Sequence, residues 1–426
     1  MPDYIDGGTT YEVEVVSVTD GDTLDVRFED GTEDEVRVIG VDTPETDRNR
    51  RFETPAEWRG IDDPETLVAW GERAKAFATE RLAGTTVTIS FDPSEPIRGT
   101  YGRLIAYLEY EDDGESVFYN RELVAEGYAR AYHSGITTHD ELFGTEERAR
   151  ANDRGLWADS DPDSTGPIRN DRVERLFVPR AQSIKTASGA LPAARAPVRA
   201  ESSAVQTRRA DSAVDYGTGP IPLVGVDREA RLAAVGGLVV DDDYEQSDEF
   251  PVDTSGYGQF PFLTNLLDWL AARDGDVLVD GGHGQFGADY GSSLADTPVY
   301  RRYLEGQGLS MLQYNRLPQS FFERGRAIVV STPVSRFGSG ELDSVRAFRD
   351  AGGSVVLLGS ATAPSHAREN LNHLADSLGS DLRFNADSVR DDRHNLNDDP
   401  TLPTTTTFDR SLPLFGPFGT GDYGRD

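Results

Sequence analysis

The first 157 residues contain short segments in which apolar and polar residues alternate, and this pattern constrains the fold more than any other feature. Three such segments are separated by Asp/Gly turns: Tyr11–Val18, Thr23–Phe28 and Glu35–Ile39. Alternation at period two is typical of strands with one buried face. A helical pattern, two more strand patterns and two short helices follow: Leu67–Leu82, Thr86–Phe91, Leu104–Tyr110, Arg121–Glu126 and Glu146–Asn152. This order predicts a small five-stranded barrel covered by helices.

Residues 211–426 show a different pattern, in which strand-like and helix-like segments alternate. The predicted strands are Arg231–Val240, Asp276–Val279, Ala327–Val330 and Ser354–Leu358. The predicted helices are Phe260–Ala272, Val299–Glu305, Glu341–Ala351 and Ala367–Leu378. Alternation of this length indicates βαβ units, and it predicts an α/β domain with a doubly wound, mostly parallel sheet. The turn-rich residues from Thr401 onward are expected to be irregular.

The distribution of charge suggests where these two blocks are separated. Residues 1–157 carry 16 basic and 36 acidic side chains, and residues 211–426 carry 17 and 33. Residues 158–210 carry 9 basic and 6 acidic side chains and are rich in Ala, Ser, Pro and Arg, which favours a linker. The arginines of this stretch either contact nucleic acid or belong to a solvated spacer.

The composition excludes several classes of protein. The chain has no cysteine, so disulfides, thiolate metal sites and a cysteine nucleophile are ruled out. No run approaches the roughly 20 apolar residues of a membrane span, and the first residues do not form a secretory signal, so we expect a cytoplasmic protein without a membrane partner. Acidic residues number 75 against 42 basic ones, with lysine only at Lys75 and Lys185. This resembles proteins of salt-loving archaea, whose surfaces stay hydrated in molar salt.

Two acidic turns carry the chemistry that the sequence suggests. Asp20-Gly21-Asp22 lies between the first two predicted strands, and Asp42-Thr43-Pro44-Glu45 follows the third. Because the ends of the first and third strands of a meandering barrel lie close together, Asp22 and Asp42 are expected to converge. Two carboxylates and a backbone carbonyl form an open oxygen site suited to Ca²⁺.

Other residues near these turns suit the cleavage of a phosphodiester. Arg37 lies on the third strand and Arg103 at the head of the fifth, and a guanidinium offers a planar fork to phosphate oxygens. A carboxylate such as Glu45 can orient or deprotonate a water. Each acidic turn alone is also consistent with a solvated hairpin, whereas the joint pattern is far more specific.

The motifs in this region resemble those of a known family. They are VTDGDT at 18–23, IGVDTPE at 39–45, GERAKAF at 71–77, YGR at 101–103, LVAEGYARAY at 123–132 and ERARANDRGLW at 147–157. With Arg37, they make residues 11–157 similar to the staphylococcal nuclease (thermonuclease) family. The resemblance implies an OB-fold barrel and Ca²⁺-dependent hydrolysis of DNA and RNA, single-stranded or duplex, leaving a 3′-phosphate.

The resemblance also implies roles for individual residues. Asp22, Asp42 and the carbonyl of Thr43 would bind Ca²⁺, with Asp20 in the outer shell. Glu45 would be the general base, and Arg37 and Arg103 would hold the scissile phosphate. Tyr101 and Tyr132 would bind substrate. The match is imperfect, because Thr100 replaces a frequent lysine and His133 follows Tyr132. His133 and His139 are either metal ligands or residues at the surface or the edge of the substrate site.

The second block contains a glycine-rich turn, Gly281–Gly287, directly after a predicted strand. Such a turn either cradles phosphate or is a tight structural turn with His283 packed beside it. VLVDGGHGQFG at 277–287 and FRDAGGSVVLLG at 348–359 resemble a glutamine-amidotransferase-like domain family of unassigned function. Because amidotransferases need a cysteine nucleophile, we expect a non-catalytic module that binds an unidentified ligand or partner.

Three functions remain open from the sequence. The first is a sequence-nonspecific endonuclease joined to this module. The second is a non-catalytic OB module that binds nucleic acid and tethers the α/β domain. In the third, the α/β module is the main biological component and the nuclease domain tethers it to nucleic acid. The intact set of Asp22, Arg37, Asp42, Glu45 and Arg103 favours the enzyme, since a pure binding module does not need these residues together.

Overall fold

The computed structural model describes residues 5–166, 168–245, 252–285 and 290–420. The chain forms two compact units, Met1–Thr165 and Gly166–Asp426. Phe286 and Gly287, the end of the glycine-rich turn, lie outside the described residues. No helix within the described ranges is long and apolar enough to span a bilayer.

The N-terminal unit contains eight described strands and three described α-helices. The strands are β1 (Tyr11–Val18), β2 (Thr23–Arg27), β3 (Glu33–Val38), β4 (Val41–Asp42), β5 (Thr86–Ser90), β6 (Leu104–Asp112), β7 (Glu115–Phe118) and β8 (Arg130–Ala131). The helices are α1 (Pro64–Leu82), α2 (Tyr119–Ala125) and α3 (His139–Ala151).

Five of these strands close into a barrel. The sheet order is β3-β2-β1-β5-β6-β7, and an additional pairing joins β3 to β6. That closing pair is parallel, with Val36 opposite Leu104, whereas the other neighbours are antiparallel. The predicted five-stranded, OB-like barrel with helical cover is therefore confirmed.

Local signals in the sequence explain the longest helix of this unit. Asp63 caps the N-terminus of α1, where its carboxylate accepts hydrogen bonds from the backbone N–H groups of Glu65 and Thr66, an arrangement that contributes about 1 kcal/mol. Pro64 occupies the first turn, where its missing N–H costs nothing. The helix ends before Gly84, whose φ of +73° lies in the left-handed region that favours glycine.

The C-terminal unit contains fifteen described strands and five described α-helices. The strands are β9 (Leu176–Phe177), β10 (Ile184–Thr186), β11 (Gly189–Ala190), β12 (Val198–Arg199), β13 (Val205–Arg208), β14 (Pro222–Asp227), β15 (Leu232–Val235), β16 (Asp276–Asp280), β17 (Met311–Tyr314), β18 (Gly325–Ser331), β19 (Ser354–Leu358), β20 (Leu382–Phe384), β21 (Asp387–Arg390), β22 (Asn395–Leu396) and β23 (Asp399–Thr405). The helices are α4 (Gln259–Leu270), α5 (Pro298–Glu305), α6 (Gln319–Arg324), α7 (Ser339–Asp350) and α8 (Ser365–Ser377).

The main sheet of this unit has seven strands in the order β12-β14-β15-β19-β18-β16-β17. Within the run β15-β19-β18-β16-β17, each strand pairs parallel with the next. Strand β14 pairs antiparallel with both β12 and β15. The sheet is therefore mixed, with its parallel strands on the side where strand and helix patterns alternate in the sequence. Most residues of these parallel strands are buried, and all five residues of β19 are.

The structure differs from the linker predicted for residues 158–210. Strands β9 to β13 lie within this stretch, and three of them pair with strands near the end of the chain, β10 with β20, β13 with β21 and β9 with β23. Val173, Ile184 and Val198 have no exposed surface. Residues from Thr401 to Thr405 are likewise strand rather than irregular. These strands are too short to show a periodic pattern, and distant partners satisfy their backbone hydrogen bonds.

Candidate active site

The site in the N-terminal unit begins at the turn between β1 and β2. The carboxylate of Asp22 is buried, and its Oδ2 accepts hydrogen bonds from the backbone N–H of Thr43 at 2.7 Å and from the Thr43 hydroxyl at 3.0 Å. A Cβ on Gly21 would lie 2.6 Å from Cγ2 of Thr43 and 2.8 Å from Cβ of Ala74. Glycine is therefore required at position 21, because a larger residue would push the two acidic turns apart.

Arg37 joins the two acidic turns. Its Nη1 lies 2.8 Å from Oδ2 of Asp22, and its Nη2 lies 2.7 Å from Oδ1 of Asp42. Nη1 also donates to the carbonyl oxygen of Val41 at 3.0 Å. The structure thus brings Asp22, Arg37 and Asp42 together in one cluster, as the positions of the strand ends predict.

A second arginine, Arg130, contacts the same cluster and was not identified from the sequence. It lies opposite Asp42 in the antiparallel pair of β4 and β8, and its Nη2 lies 2.8 Å from Oδ2 of Asp42 and 2.7 Å from Oε2 of Glu57. Its guanidinium lies 5.6 Å from the ring centre of Trp58, and only 4% of the residue is exposed. A single arginine inside LVAEGYARAY gives no signal of this contact, because Asp42 lies 88 residues earlier.

The cluster has an excess of negative charge. Burial raises the pKa of Asp22 well above its ordinary value, and Asp20 and Asp42 raise it further, against the opposing effect of Arg37. Burial likewise raises the pKa of Glu45 to about 7, assisted by Asp20, Asp42 and Glu53. A divalent cation would relieve this repulsion, and the hard oxygen donors present are those that Ca²⁺ prefers.

The donor set fits Ca²⁺ in chemistry but not as an all-protein cage. Among the described residues, no group of three or more His, Asp or Glu side chains is arranged to hold a metal ion. Both oxygens of Asp42 already accept from arginines, Oδ1 from Arg37 and Oδ2 from Arg130. Two carboxylates and a threonine oxygen would occupy only some of the six to eight coordination positions of Ca²⁺ and leave the others to water and substrate.

Glu45 is held in place through its backbone. Its N–H donates to Oε2 of Glu53 at 2.6 Å, and the other oxygen of Glu53 accepts from Nε1 of Trp58 at 2.7 Å. A Cβ on Gly71 would lie 2.3 Å from the Glu45 carbonyl oxygen and 2.5 Å from that of Pro44. The glycine of the GERAKAF segment therefore lets α1 pack directly against the turn that carries Glu45.

The other predicted phosphate-binding arginine does not touch this cluster. Nε of Arg103 lies 3.5 Å from Oε1 of Glu35, and its guanidinium lies 5.7 Å from the ring centre of Tyr101. Tyr101 itself is 86% exposed. The parallel pairing of β3 and β6 places Arg103 near the end of the barrel that also carries Arg37, two positions before the residue paired with it.

Two histidines near the predicted substrate residue Tyr132 are buried rather than exposed. Tyr132 is 43% exposed, whereas 2% of His133 and 1% of His139 is exposed. Nδ1 of His133 and Nε2 of His139 lie 2.9 Å apart, and Nδ1 of His139 lies 2.9 Å from Oδ1 of Asp140. This arrangement corrects the expectation of a surface or substrate-edge position and indicates a role in packing.

Comparison with known proteins identifies the family. The model described as staphylococcal nuclease homologue matches residues 35–159. Over 152 residues the chain is 32% identical to the thermonuclease of Staphylococcus hyicus, covering 35% of this chain and 76% of that protein. It is also 38% identical over 161 residues to the uncharacterized protein MJ1439 of Methanocaldococcus jannaschii, covering 36% of this chain and 75% of that protein. This chain belongs to the staphylococcal nuclease family.

The membership applies to the N-terminal unit, since the match to the staphylococcal nuclease family ends at residue 159. A further relative is the SPbeta prophage-derived endonuclease YokF of Bacillus subtilis, which is 28% identical over 192 residues, covering 43% of this chain and 56% of that protein. These nuclease relatives support a nuclease function for this member of the staphylococcal nuclease family.

In the C-terminal unit, the glycine-rich turn packs around His283. Nδ1 of His283 lies 2.9 Å from both carboxylate oxygens of Asp280, and Nε2 lies 3.3 Å from Oε2 of Glu341. The imidazole stacks on Phe337 with the ring centres 3.7 Å apart, and 3% of the residue is exposed. A Cβ on Gly282 would lie 2.0 Å from the carbonyl oxygen of Asn315. These contacts favour the tight structural turn over a phosphate cradle.

Proposed function

We propose that the N-terminal unit is a Ca²⁺-dependent, sequence-nonspecific nuclease that hydrolyses phosphodiester bonds of DNA and RNA. The observation that carries the proposal is the convergence of Asp22, Arg37 and Asp42 beside Glu45, whose carboxylate has a pKa of about 7. The nuclease names of the relatives at 32% and 28% identity add support. A general base is most effective when its pKa lies near the working pH.

In this mechanism Asp22, Asp42 and Thr43 would hold Ca²⁺, with Asp20 contributing from the outer shell. Bound Ca²⁺ would supply charge neutralisation for the phosphate and for the acidic residues around it. Glu45 would accept a proton from the attacking water. The anchoring of its backbone by Glu53 keeps the carboxylate next to the cluster.

The two predicted arginines would act on the phosphate oxygens. A phosphate entering the site competes with Asp22 and Asp42 for the guanidinium of Arg37, which now contacts both. Arg103 is half-buried and has one contact with a carboxylate, at 3.5 Å, so it can turn toward substrate at small cost. Tyr101 and Tyr132 are the exposed aromatic residues that we assign to substrate binding.

The decisive experiment is digestion of single-stranded and duplex DNA and of RNA in molar KCl and in dilute buffer. Cleavage with Ca²⁺ that disappears with excess chelator and in Glu45→Gln establishes the enzyme. Retained binding without cleavage, in a protein shown to be folded, would instead make the barrel a nucleic-acid-binding module. The ion pairs that occupy both oxygens of Asp42 are the feature that favours this alternative.

For the C-terminal unit we propose a glutamine-amidotransferase-like, doubly wound α/β module that binds a ligand or partner without catalysis. The parallel strands β15 to β19 and the absence of cysteine support this assignment. Deletion of residues 166–426 tests whether it contributes to the nuclease. Unchanged cleavage by the N-terminal unit alone would show that the module has a separate role.

A further inference from the structure

The segment directly after Glu45 carries an exposed cluster of basic and aromatic side chains. Arg48, Arg50 and Arg51 fall within four consecutive residues, and Phe52 follows them. All four side chains are exposed, and Phe52 is 61% exposed at the end of a short 3₁₀ helix, Arg50–Phe52. Residues 1–157 carry 36 acidic and 16 basic side chains, so this local concentration of positive charge contrasts with its surroundings.

Two of the three arginines have no ion-pair partner among the residues that the structure describes. Arg50 pairs with Asp47 at 3.4 Å and with Glu65. Within the described part of the chain, neither Arg48 nor Arg51 forms an ion pair. The guanidinium of Arg51 lies 4.4 Å from the ring centre of Phe52. An aromatic ring with an arginine beside it is the arrangement on which nucleobases stack in proteins that bind single strands.

This cluster is fixed to the candidate active site. Glu53, the residue after Phe52, accepts a hydrogen bond from the backbone N–H of Glu45 at 2.6 Å. Trp58, which is 1% exposed, donates to the same carboxylate at 2.7 Å. Phe52 is therefore one residue from the side chain that anchors the proposed general base, so a strand lying across Glu45 passes close to it.

We propose that Arg48, Arg51 and Phe52 form a subsite for a nucleotide of a single-stranded nucleic acid next to the bond that is cleaved, an inference that rests on the proposed nuclease function. Phe52 stacks on the base, and the two arginines contact the flanking phosphates. Stacking needs an unpaired base, because the bases of a duplex already stack on one another. Since every base has a π-face, the subsite is compatible with cleavage that ignores sequence.

The two kinds of contact respond differently to salt. Each phosphate contact to a single strand contributes about 0.7 to the slope of log affinity against log salt concentration. Stacking of a base on an aromatic ring releases no counterions and therefore leaves that slope unchanged. Loss of both arginines should therefore reduce the slope by about 1.4, whereas loss of the ring should lower affinity at every salt concentration alike.

The test measures anisotropy of a labelled oligothymidylate of about 12 nucleotides, with Ca²⁺, on full-length protein carrying Glu45→Gln so that the strand stays intact. In that background we compare Phe52→Leu, Phe52→Tyr and the Arg48→Gln/Arg51→Gln double variant. The matched control is Arg73→Gln, which removes an exposed arginine that lies 4.3 Å from the ring centre of Trp70.

We expect Phe52→Leu to weaken binding at least about fivefold with an unchanged salt slope, and Phe52→Tyr to bind like the parent. The arginine double variant should lose affinity and salt slope together, and Arg73→Gln should change binding less than twofold. Binding of Phe52→Leu within twofold of the parent, or an equal loss in Arg73→Gln, overturns the subsite. Failure of the unsubstituted protein to cleave, with Phe52-dependent binding intact, would overturn the hydrolysis and leave the subsite standing.

Discussion

Arg130 and Asp42 pair across two short antiparallel strands, with Nη2 of the arginine 2.8 Å from Oδ2 of the aspartate. Arg130 also holds Glu57 at 2.7 Å, and 5% of its side chain is exposed. One buried guanidinium thus contacts two carboxylates, one of which is a proposed metal ligand. Arg130 therefore holds the oxygen of Asp42 that Arg37 does not contact.

Arg130→Met should destabilise the N-terminal unit by about 1–3 kcal/mol, because it removes the buried guanidinium that holds the partly exposed carboxylates of Asp42 and Glu57. Urea unfolding of the full-length protein measures the loss, and Ca²⁺ titration reports whether Asp42 still binds. The control is Arg121→Gln, which breaks the exposed pair with Glu141 and should cost less than about 1 kcal/mol. Equal stability of the two variants would show that Arg130 has no such role.

Ca²⁺ should stabilise the N-terminal unit through Asp22. At a concentration 100 times its dissociation constant, the ion should raise the free energy of unfolding by about 2.7 kcal/mol. Burial and acidic neighbours raise the pKa of Asp22, so a bound cation would favour its ionised form. Asp22→Asn removes this carboxylate, and most of the stabilisation by Ca²⁺ should therefore disappear. Asp25→Asn on β2 is the control and should retain the gain. An undiminished Ca²⁺ effect in Asp22→Asn would exclude Asp22 as a ligand.

Glu45→Gln should lower turnover by about 10²–10⁴-fold while Ca²⁺ binding is kept. Because burial and acidic neighbours raise the pKa of Glu45 to about 7, its ionisation opposes folding at higher pH. The variant should therefore be more stable than the parent at pH 8 in chelator, by on the order of 1 kcal/mol after solvent screening. Turnover within threefold of the parent would remove Glu45 from the mechanism.

Arg103→Lys should lower kcat/KM while leaving Ca²⁺ affinity and stability unchanged. Lysine keeps the charge but lacks the planar fork that binds two phosphate oxygens. Because Arg103 has only a weak, partly exposed contact with Glu35, its loss should cost less than about 1 kcal/mol. Steady-state kinetics and thermal unfolding separate the two effects. Wild-type kinetics in the lysine variant would show that Arg103 does not hold the phosphate through its fork.

The stability of the C-terminal unit should depend on pH through His283. Burial alone would lower the pKa of His283, but its hydrogen bond to Asp280 and the charges of Asp280 and Glu341 outweigh burial and raise it. The stabilisation from these contacts is complete below the unfolded pKa of about 6.5 and is lost as the pH rises through the higher folded pKa.

The difference in unfolding free energy between the parent and His283→Asn should therefore shrink as the pH rises above about 6.5. Urea unfolding at a series of pH values measures the difference, and NMR of the histidine side chains reports the pKa directly. His366→Asn, on the exposed face of α8, is the matched control and should show no such trend. A difference that grows with pH would mean that the neutral imidazole is the stabilising form.

The barrel and the position of the acidic turns are predictable from the amino-acid sequence alone. Strands β1 and β2 and helix α1 follow from alternation, turn residues and capping, which act between near neighbours in the chain and are therefore visible in it. The meeting of Asp22 with Asp42 followed from the same reasoning, because adjacent strand ends in a meandering barrel are close. Arg37 is predicted from its place on the third strand, ahead of Asp42, and from the planar fork that a guanidinium offers to phosphate oxygens.

The contacts between groups that are far apart in the chain become visible only in the folded protein. The pairing of Asp42 with Arg130, 88 residues away, and the strands β10 and β13, which pair with β20 and β21 some 200 residues later, leave no local pattern. Burial is likewise a property of the folded chain, and it is burial that raises the pKa of Asp22. Long-range backbone pairing and desolvation depend on partners that are distant in the sequence. Together they place the carboxylates of an acidic turn in a buried site beside arginines.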